Sequence, residues 1–260
     1  MGKPMHWPAE TIWEAVAPEL PGFSVEVLAQ IDSSNSELMR RARAGQHEPV
    51  LLVAEQQTAG RGRLGRQWFS EGKTAALAFS LGLPFAPRDW SGLSLAVGVS
   101  IAQSLHPELC LKWPNDIWWQ GRKLAGILIE TASLGPNRYL VVGVGINIEQ
   151  PRATGLATAP AWLQELIPGV DAAQALLRIA APLLQAIKTF EHSGFLPFQA
   201  LFNARDALSG LSVTLSDGMA GMAKGVDVDG ALRVQTLQGL KLISSSEVSV
   251  RPVPADPARP

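Results

Sequence analysis

From residue 23 to residue 148 the apolar positions switch repeatedly between two periods, and the switches mark a succession of strands and helices. Residues 23–29 carry the alternation of a strand. Asp32-Ser33-Ser34-Asn35 follows, and its side-chain oxygens suit the free N–H groups of a first helical turn, so a helix is expected from there to about Ala44. Residues 50–55 and 75–83 are apolar runs of strand length, and residues 90–105 hold a long apolar pattern of helical period. Three more strands are expected at 109–113, 124–131 and 139–148.

The flanks differ in texture. Residues 1–22 are punctuated by proline and leave room for one short helix near 10–16. Residues 161–208 predict two or three helices, with Pro182 and Pro197 as the breaks between them. After Gly210, short β-type runs at 211–215, 223–228, 232–236, 240–244 and 248–250 are separated by Ser-Asp-Gly, Asp-Gly and Gln-Gly turns, a spacing that suggests hairpins in a small β-barrel. The expected division is an N-terminal extension over 1–22, a catalytic domain over 23–208, a small β-domain over 209–254 and a loose proline-rich tail over 255–260.

Bulk properties narrow the class. The 260 residues are 47% hydrophobic and 17% charged, too apolar for disorder. The formal net charge of −1 opposes a general nucleic-acid binder, which needs a broad basic face. A single cysteine, Cys110, excludes an intramolecular disulfide and fits a reducing compartment. No apolar run has signal or membrane-span length, so a cytoplasmic protein without a membrane partner is expected. The four histidines lack metal-ligand spacing, so no resident metal is expected, and a divalent ion such as Mg2+ would arrive with a nucleotide.

Against that neutral background one stretch stands out. Gly60-Arg61-Gly62-Arg63-Leu64-Gly65-Arg66 puts three arginines and three glycines in seven residues, and Gln67-Trp68 follows. Guanidinium forks suit carboxylate or phosphate oxygens, and glycines let backbone N–H groups approach the same anion. Such mutually repelling cations should stay mobile until an anion arrives. Lys112-Trp113-Pro114-Asn115-Asp116 closes a strand with a turn, placing Lys112, Asn115 and Asp116 at the rim of a site where Asp116 can orient or deprotonate an amine. In Lys123-Leu124-Ala125-Gly126-Ile127-Leu128-Ile129 strict alternation puts Lys123, Ala125, Ile127 and Ile129 on one face. In Gly143-Val144-Gly145-Ile146-Asn147 it puts Gly143, Gly145 and Asn147 on one face, leaving room for something flat. There is no dinucleotide fingerprint and no P-loop. Ser33, Ser34, Asn35 and Gln57 offer hydroxyls and amides for a small urea- or amide-like head group.

Together, in this order, these segments resemble a biotin protein ligase. The family commonly has Ser-Thr-Asn where this chain has Ser33-Ser34-Asn35, a change that keeps the hydroxyl. The short stretch before residue 23 resembles the monofunctional class, without an N-terminal DNA-binding domain and with no DNA partner. The resemblance implies an α+β fold: a mixed β-sheet catalytic domain with flanking helices, class II synthetase-like, plus a C-terminal SH3-like β-barrel. It implies two steps: attack of the biotin carboxylate on ATP to give biotinyl-5′-AMP and pyrophosphate, then transfer to a carrier lysine with release of AMP. Ser33, Ser34, Asn35, Gln57, Arg61, Gly62, Arg63 and Lys123 would meet biotin. Arg61, Arg63, Arg66, Trp68, Lys112, Asn115 and Asn147 would meet ATP or the adenylate. Arg63, Lys123 and Asp116 would be catalytic. The implied partner is the biotin carboxyl carrier protein of acetyl-CoA carboxylase or of a similar carboxylase, with the enzyme a monomer or homodimer.

Two rivals remain open from the sequence. A lipoate or octanoate ligase or transferase shares the fold, but Trp68 and the Lys112-Trp113-Pro114-Asn115-Asp116 segment favour biotin. A non-enzymatic nucleic-acid-binding protein would use the arginine loop, and the charge balance opposes it.

Overall fold

The computed structural model describes residues 5–68, 75–134, 137–151, 158–244 and 250–253. Seven strands share one sheet: β1 (Ser24–Leu28), β2 (Val50–Ala54), β3 (Ala76–Pro84), β4 (Cys110–Lys112), β5 (Asp116–Trp119), β6 (Arg122–Leu134) and β7 (Asn137–Asn147). Their order is β1-β2-β3-β7-β6-β5-β4, and only the β1–β2 pairing is parallel. The mixed sheet implied by the resemblance is therefore present. β5 has no counterpart among the expected strands, because its four residues are too few to show a period. The turn expected within Lys112–Asp116 is confined to residues 113–115, and Asp116 opens the strand.

The two faces of the sheet are covered unequally. On one side Leu77, Phe79 and Leu81 of β3, Val142, Val144 and Ile146 of β7, and Ala125 and Ile127 of β6 join the main core. Helices α1 (Ala9–Val16), α3 (Leu93–Leu105) and α5 (Ala172–Ser193) close that side. On the other, α2 (Ser34–Arg43) covers only part of the sheet, packing Leu38, Met39 and Ala42 on Leu52, Val141 and Tyr139. The uncovered remainder is a cleft.

The expectation about helix breaks needs correction. Pro182 does not break a helix: α5 runs unbroken for 22 residues with Pro182 inside it. An interior proline costs about 3 kcal/mol, but Ile179, Leu183, Leu184 and Ile187 are buried on either side of it, and that packing outweighs the loss. Pro197 instead lies in the first turn of α6 (Leu196–Asn203), where its missing N–H is no loss. The C-terminal strands, β8 (Ser212–Leu215), β9 (Ala220–Val226), β10 (Leu232–Thr236), β11 (Gly239–Ile243) and β12 (Val250–Pro252), form an antiparallel sheet in the order β11-β10-β9-β8-β12. Among the described residues no pairing joins β11 to β12, and no closed barrel is seen there. The expected run at 248–249 and the tail at 255–260 lie outside the described residues.

The second sheet is tied to the first through β4. Leu111 N donates to Arg205 O at 2.8 Å and Ala207 N donates to Leu111 O at 2.9 Å, so the chain leaving α6 runs alongside the sheet edge. Trp113, fully buried, donates its Nε1–H to Gly230 O at 3.1 Å, in the turn between β9 and β10. Trp113→Phe removes the donor, leaves that carbonyl without its partner and gives up part of the buried ring volume. A loss of about 1–3 kcal/mol in stability is expected, read as a lower unfolding midpoint in calorimetry; an unchanged midpoint would contradict this link.

Candidate active site

The floor of the cleft is a patch of small residues in register. Gly145 pairs with Gly126 on one side and Ala78 on the other, and Gly143 pairs with Leu128 and Ser80. The expected glycine face exists, but the flat groups resting on it are the protein's own. A Cβ at Gly143 would collide with the Asn35 amide, and one at Gly145 with the Trp68 indole. Glycine here lets α2 and the basic loop lower their side chains onto the sheet.

One end of the cleft is neutral and rich in hydrogen-bonding groups. Ser33 caps α2, accepting from Ser36 N at 3.4 Å, which is the structural role its sequence context suggested. Asp32, beside it, is held down to about 2 by the Arg40 guanidinium. Ser34 and Asn35 turn inward and are buried. Gln57 Oε1 accepts from Ser34 N at 2.8 Å and lies 3.2 Å from Ser34 Oγ. Ser80 Oγ, fully buried, lies 2.7 Å from Ser34 Oγ and 2.6 Å from Asn35 Oδ1.

The other end is cationic, and a strand irregularity builds it. Ile117 pairs with Ala125 but Trp118 pairs with Lys123, so Leu124 is passed over. This bulge moves Lys123 off the face of Ala125 and Ile127, against the expectation from strict alternation, and onto the cleft face. There its Nζ lies 3.2 Å from where a Cβ of Gly126 would stand, and it pairs with Asp116 Oδ1 at 2.6 Å. Lys112 stands over the Trp118 ring at 5.0 Å. Burial pulls its pKa below the ordinary value, with the Asp116 charge acting the other way and Lys123, Arg66 and Arg251 adding to the depression. Half-buried Arg63 donates to Asn115 Oδ1 at 3.3 Å, and burial lowers its pKa too, against the pull of Asp116. Val250 of the C-terminal sheet lines the same cleft.

The basic segment is a tight excursion. Trp68 N donates to Gly60 O at 2.9 Å and Gly62 N to Arg66 O at 2.7 Å, closing the chain around Leu64 and Gly65, both at positive φ. Arg61 leaves the cleft centre to pair with Glu130 at 2.9 Å. The Trp68 Nε1–H is buried with no partner among the described residues, a donor available to a ligand.

A model of the biotin/lipoate A/B protein ligase family matches residues 27–147, and one of the biotin protein ligase C terminal domain matches residues 212–251. Over 244 residues the chain is 34% identical to the bifunctional ligase/repressor BirA of Escherichia coli, covering 90% of this chain and 76% of that protein. The chain belongs to the biotin protein ligase family. It is 31% identical over 237 residues to the biotin–[acetyl-CoA-carboxylase] ligase of Paracoccus denitrificans, covering 85% of this chain and 98% of that one. The biotin protein ligase from Aquifex aeolicus in complex with biotin and ATP superposes with a TM-score of 0.75 at 30% identity, covering 88% of this chain and 99% of the other.

In this member of the biotin protein ligase family the cleft gathers Ser33, Ser34, Asn35, Gln57, Arg61, Gly62, Arg63, Arg66, Trp68, Lys112, Asn115, Asp116 and Lys123, as the sequence suggested. Asn147 is not among the lining residues. Its Nδ2 donates to Ala161 O at 2.9 Å, and Ala161 N donates to Lys123 O at 2.9 Å, so its amide braces the backbone beneath Lys123. Asn115 is likewise committed, its Nδ2 donating to Ile127 O at 2.8 Å. Sequence reading missed Ser80, Glu130 and Val250. Ser80 had one signal, being a lone hydroxyl within the apolar run of β3; the other two had none.

A half-buried, partly compensated cation such as Lys112 weakens the fold. Its folded pKa lies below the ordinary 10.5, so the penalty is complete at neutral pH and fades as pH rises from that folded value towards 10.5. Lys112→Met should therefore be more stable at pH 7, by about 1 kcal/mol, with the advantage shrinking at alkaline pH. Thermal midpoints across pH check this, and a variant destabilised at pH 7 would contradict it.

Proposed function

We propose that this protein attaches biotin to a lysine of a carrier protein in two ATP-dependent steps: formation of biotinyl-5′-AMP with release of pyrophosphate, then transfer to the amine with release of AMP. The observation that carries the reading is the polarity of the cleft. A neutral hydrogen-bonding pocket of Ser34, Asn35, Gln57 and Ser80 lies at one end, and Arg63, Arg66, Lys112 and Lys123 gather at the other.

The neutral end takes the ureido ring. A head group with its own donors and acceptors satisfies these buried groups, whereas an alkyl or dithiolane tail would leave them unanswered, at about 1–3 kcal/mol for each. That difference favours biotin over lipoate or octanoate. The cationic end takes the carboxylate and the phosphates. Bringing a carboxylate to a triphosphate sets like charges together, and preorganised cations offset that repulsion without reorganising as the new bond forms. Lys123 is held on Asp116 until a substrate carboxylate competes for it. Asp116, released, then accepts hydrogen bonds or a proton from the incoming lysine amine. Arg61, Gly62 and Ser33 border the biotin site, and Trp68 with Asn115 borders the adenylate, while Asn147 acts from beneath by bracing the backbone of Lys123. The loop bearing Arg61, Arg63 and Arg66 keeps water off a hydrolysable anhydride. Mg2+ enters with the nucleotide phosphates. The acceptor is the biotin carboxyl carrier protein of acetyl-CoA carboxylase or of a similar carboxylase.

ATP–pyrophosphate exchange run with biotin, lipoate and octanoate in parallel is expected to depend on biotin. Exchange driven by lipoate or octanoate instead would move the protein to the other branch of its family. Arg63→Ala and Lys123→Ala are each expected to slow adenylate formation about 10²–10³-fold with little change in unfolding midpoint. If both variants form biotinyl-AMP at the parental rate, the cations have been assigned wrongly.

A further inference from the structure

Glu130 belongs to β6, faces the cleft side of the sheet and holds Asn35 on one carboxylate oxygen while Arg61 spans both. Oε2 accepts from Asn35 Nδ2 at 3.0 Å and from Arg61 Nη1 at 3.4 Å, and Oε1 accepts from Arg61 Nη2 at 2.9 Å. Asn35 comes from the first turn of α2 and Arg61 from the basic loop, so a single side chain joins the neutral pocket to the cationic segment.

The direction of the hydrogen bonds follows from elementary donor and acceptor counts. Asn35 Nδ2 faces two groups that can only accept, the Glu130 carboxylate and Leu128 O at 3.3 Å. A flipped amide would set its oxygen against both. Asn35 Oδ1 must then face Ser80, whose single hydroxyl proton is drawn to it at 2.6 Å. With that proton committed, the Ser34 hydroxyl has to donate across the 2.7 Å contact to Ser80 Oγ rather than to Gln57. Ser34 Oγ is left with its lone pairs free. Reversing Asn35 would reverse the whole chain: Asn35 to Ser80, Ser80 to Ser34, Ser34 to Gln57. The two arrangements present opposite polarity to whatever occupies the pocket.

We propose that Glu130 is a positioning residue that selects one direction of this chain, so that Ser34 Oγ accepts from a ligand N–H. Arg61 holds the second carboxylate oxygen and so links that selection to the placement of the basic loop. Glu130 acts through Asn35 and does not touch substrate. The inference deepens the biotin reading and rests on it, because the ureido ring is the ligand whose N–H groups such an acceptor would meet.

The test uses the whole protein in pyrophosphate exchange, with biotin and ATP varied separately. Glu130→Gln replaces one acceptor oxygen by a donor and removes the charge at nearly constant shape. It should raise the KM for biotin about tenfold, the size expected for one hydrogen bond to a charged group, while the KM for ATP and kcat stay within about threefold. Combined with Asn35→Ala, it should leave the biotin KM of the Asn35→Ala protein unchanged within about twofold, since the effect passes through that amide. A purely structural role would shift the unfolding midpoint and both KM values together. A biotin KM within twofold of the parent, or single effects that multiply in the double variant, overturns the proposal. Should Glu130→Gln not fold, Glu130→Asp carries the same comparison, its shorter arm reaching one partner but not both. A parent protein with no biotin-dependent exchange would remove the functional reading itself, a distinct outcome.

Discussion

A β-strand gives each residue one face by parity, and in this protein a single irregularity overrides that rule where the chemistry is. By parity Lys123 would point into the core with Ala125 and Ile127, among aliphatic side chains that give an ammonium no partner. The residue passed over at Leu124 turns it onto the glycine face instead, where Asp116 on the neighbouring strand meets it at 2.6 Å. Asp116 in turn offsets the charge of Lys112 and Arg63, both partly desolvated. One carboxylate therefore allows several cations to share a cleft before any anion arrives. That is a poised arrangement, since each cation gains when a substrate anion displaces or joins Asp116.

The small residues of the sheet serve the same end by steric means. Ala78, Ser80, Gly126, Gly143 and Gly145 are neighbours across three strands, and anything larger would lift Asn35 and Trp68 away from them. α2 and the basic loop thus approach from above onto a floor without side-chain bulk. The price is borne elsewhere: the opposite face of the same strands carries leucine, phenylalanine, valine and isoleucine, and the main core on that side anchors the sheet.

The C-terminal sheet shares in the site. Val250 reaches the cleft lining, Arg251 adds to the field at Lys112, and the Trp113–Gly230 hydrogen bond ties the turn carrying Asn115 to the β9–β10 hairpin. The division into domains over 23–208 and 209–254 remains a reading of composition, and the cleft draws residues from both sides of it.

What the amino-acid order determined by itself was local: the apolar runs that make β2 and β3, the alternation that makes β7, the Ser33 cap of α2, and the arginine-glycine segment whose chemistry points to anions. Those follow from period, capping and charge, which act over a few residues. What only the tertiary structure decided depends on neighbours distant along the chain. The bulge at Leu124 is set by pairing with β5, and Pro182 is tolerated because α5 is packed on both sides. The order of the second sheet, with β12 beside β8, is likewise set by pairing between strands far apart and not by turn spacing. Asn147 braces Ala161, and Glu130 joins Asn35 to Arg61, through bonds between residues 14, 69 and 95 positions apart. Hydrogen bonds of that reach have no period, and only the folded chain reveals which donor meets which acceptor.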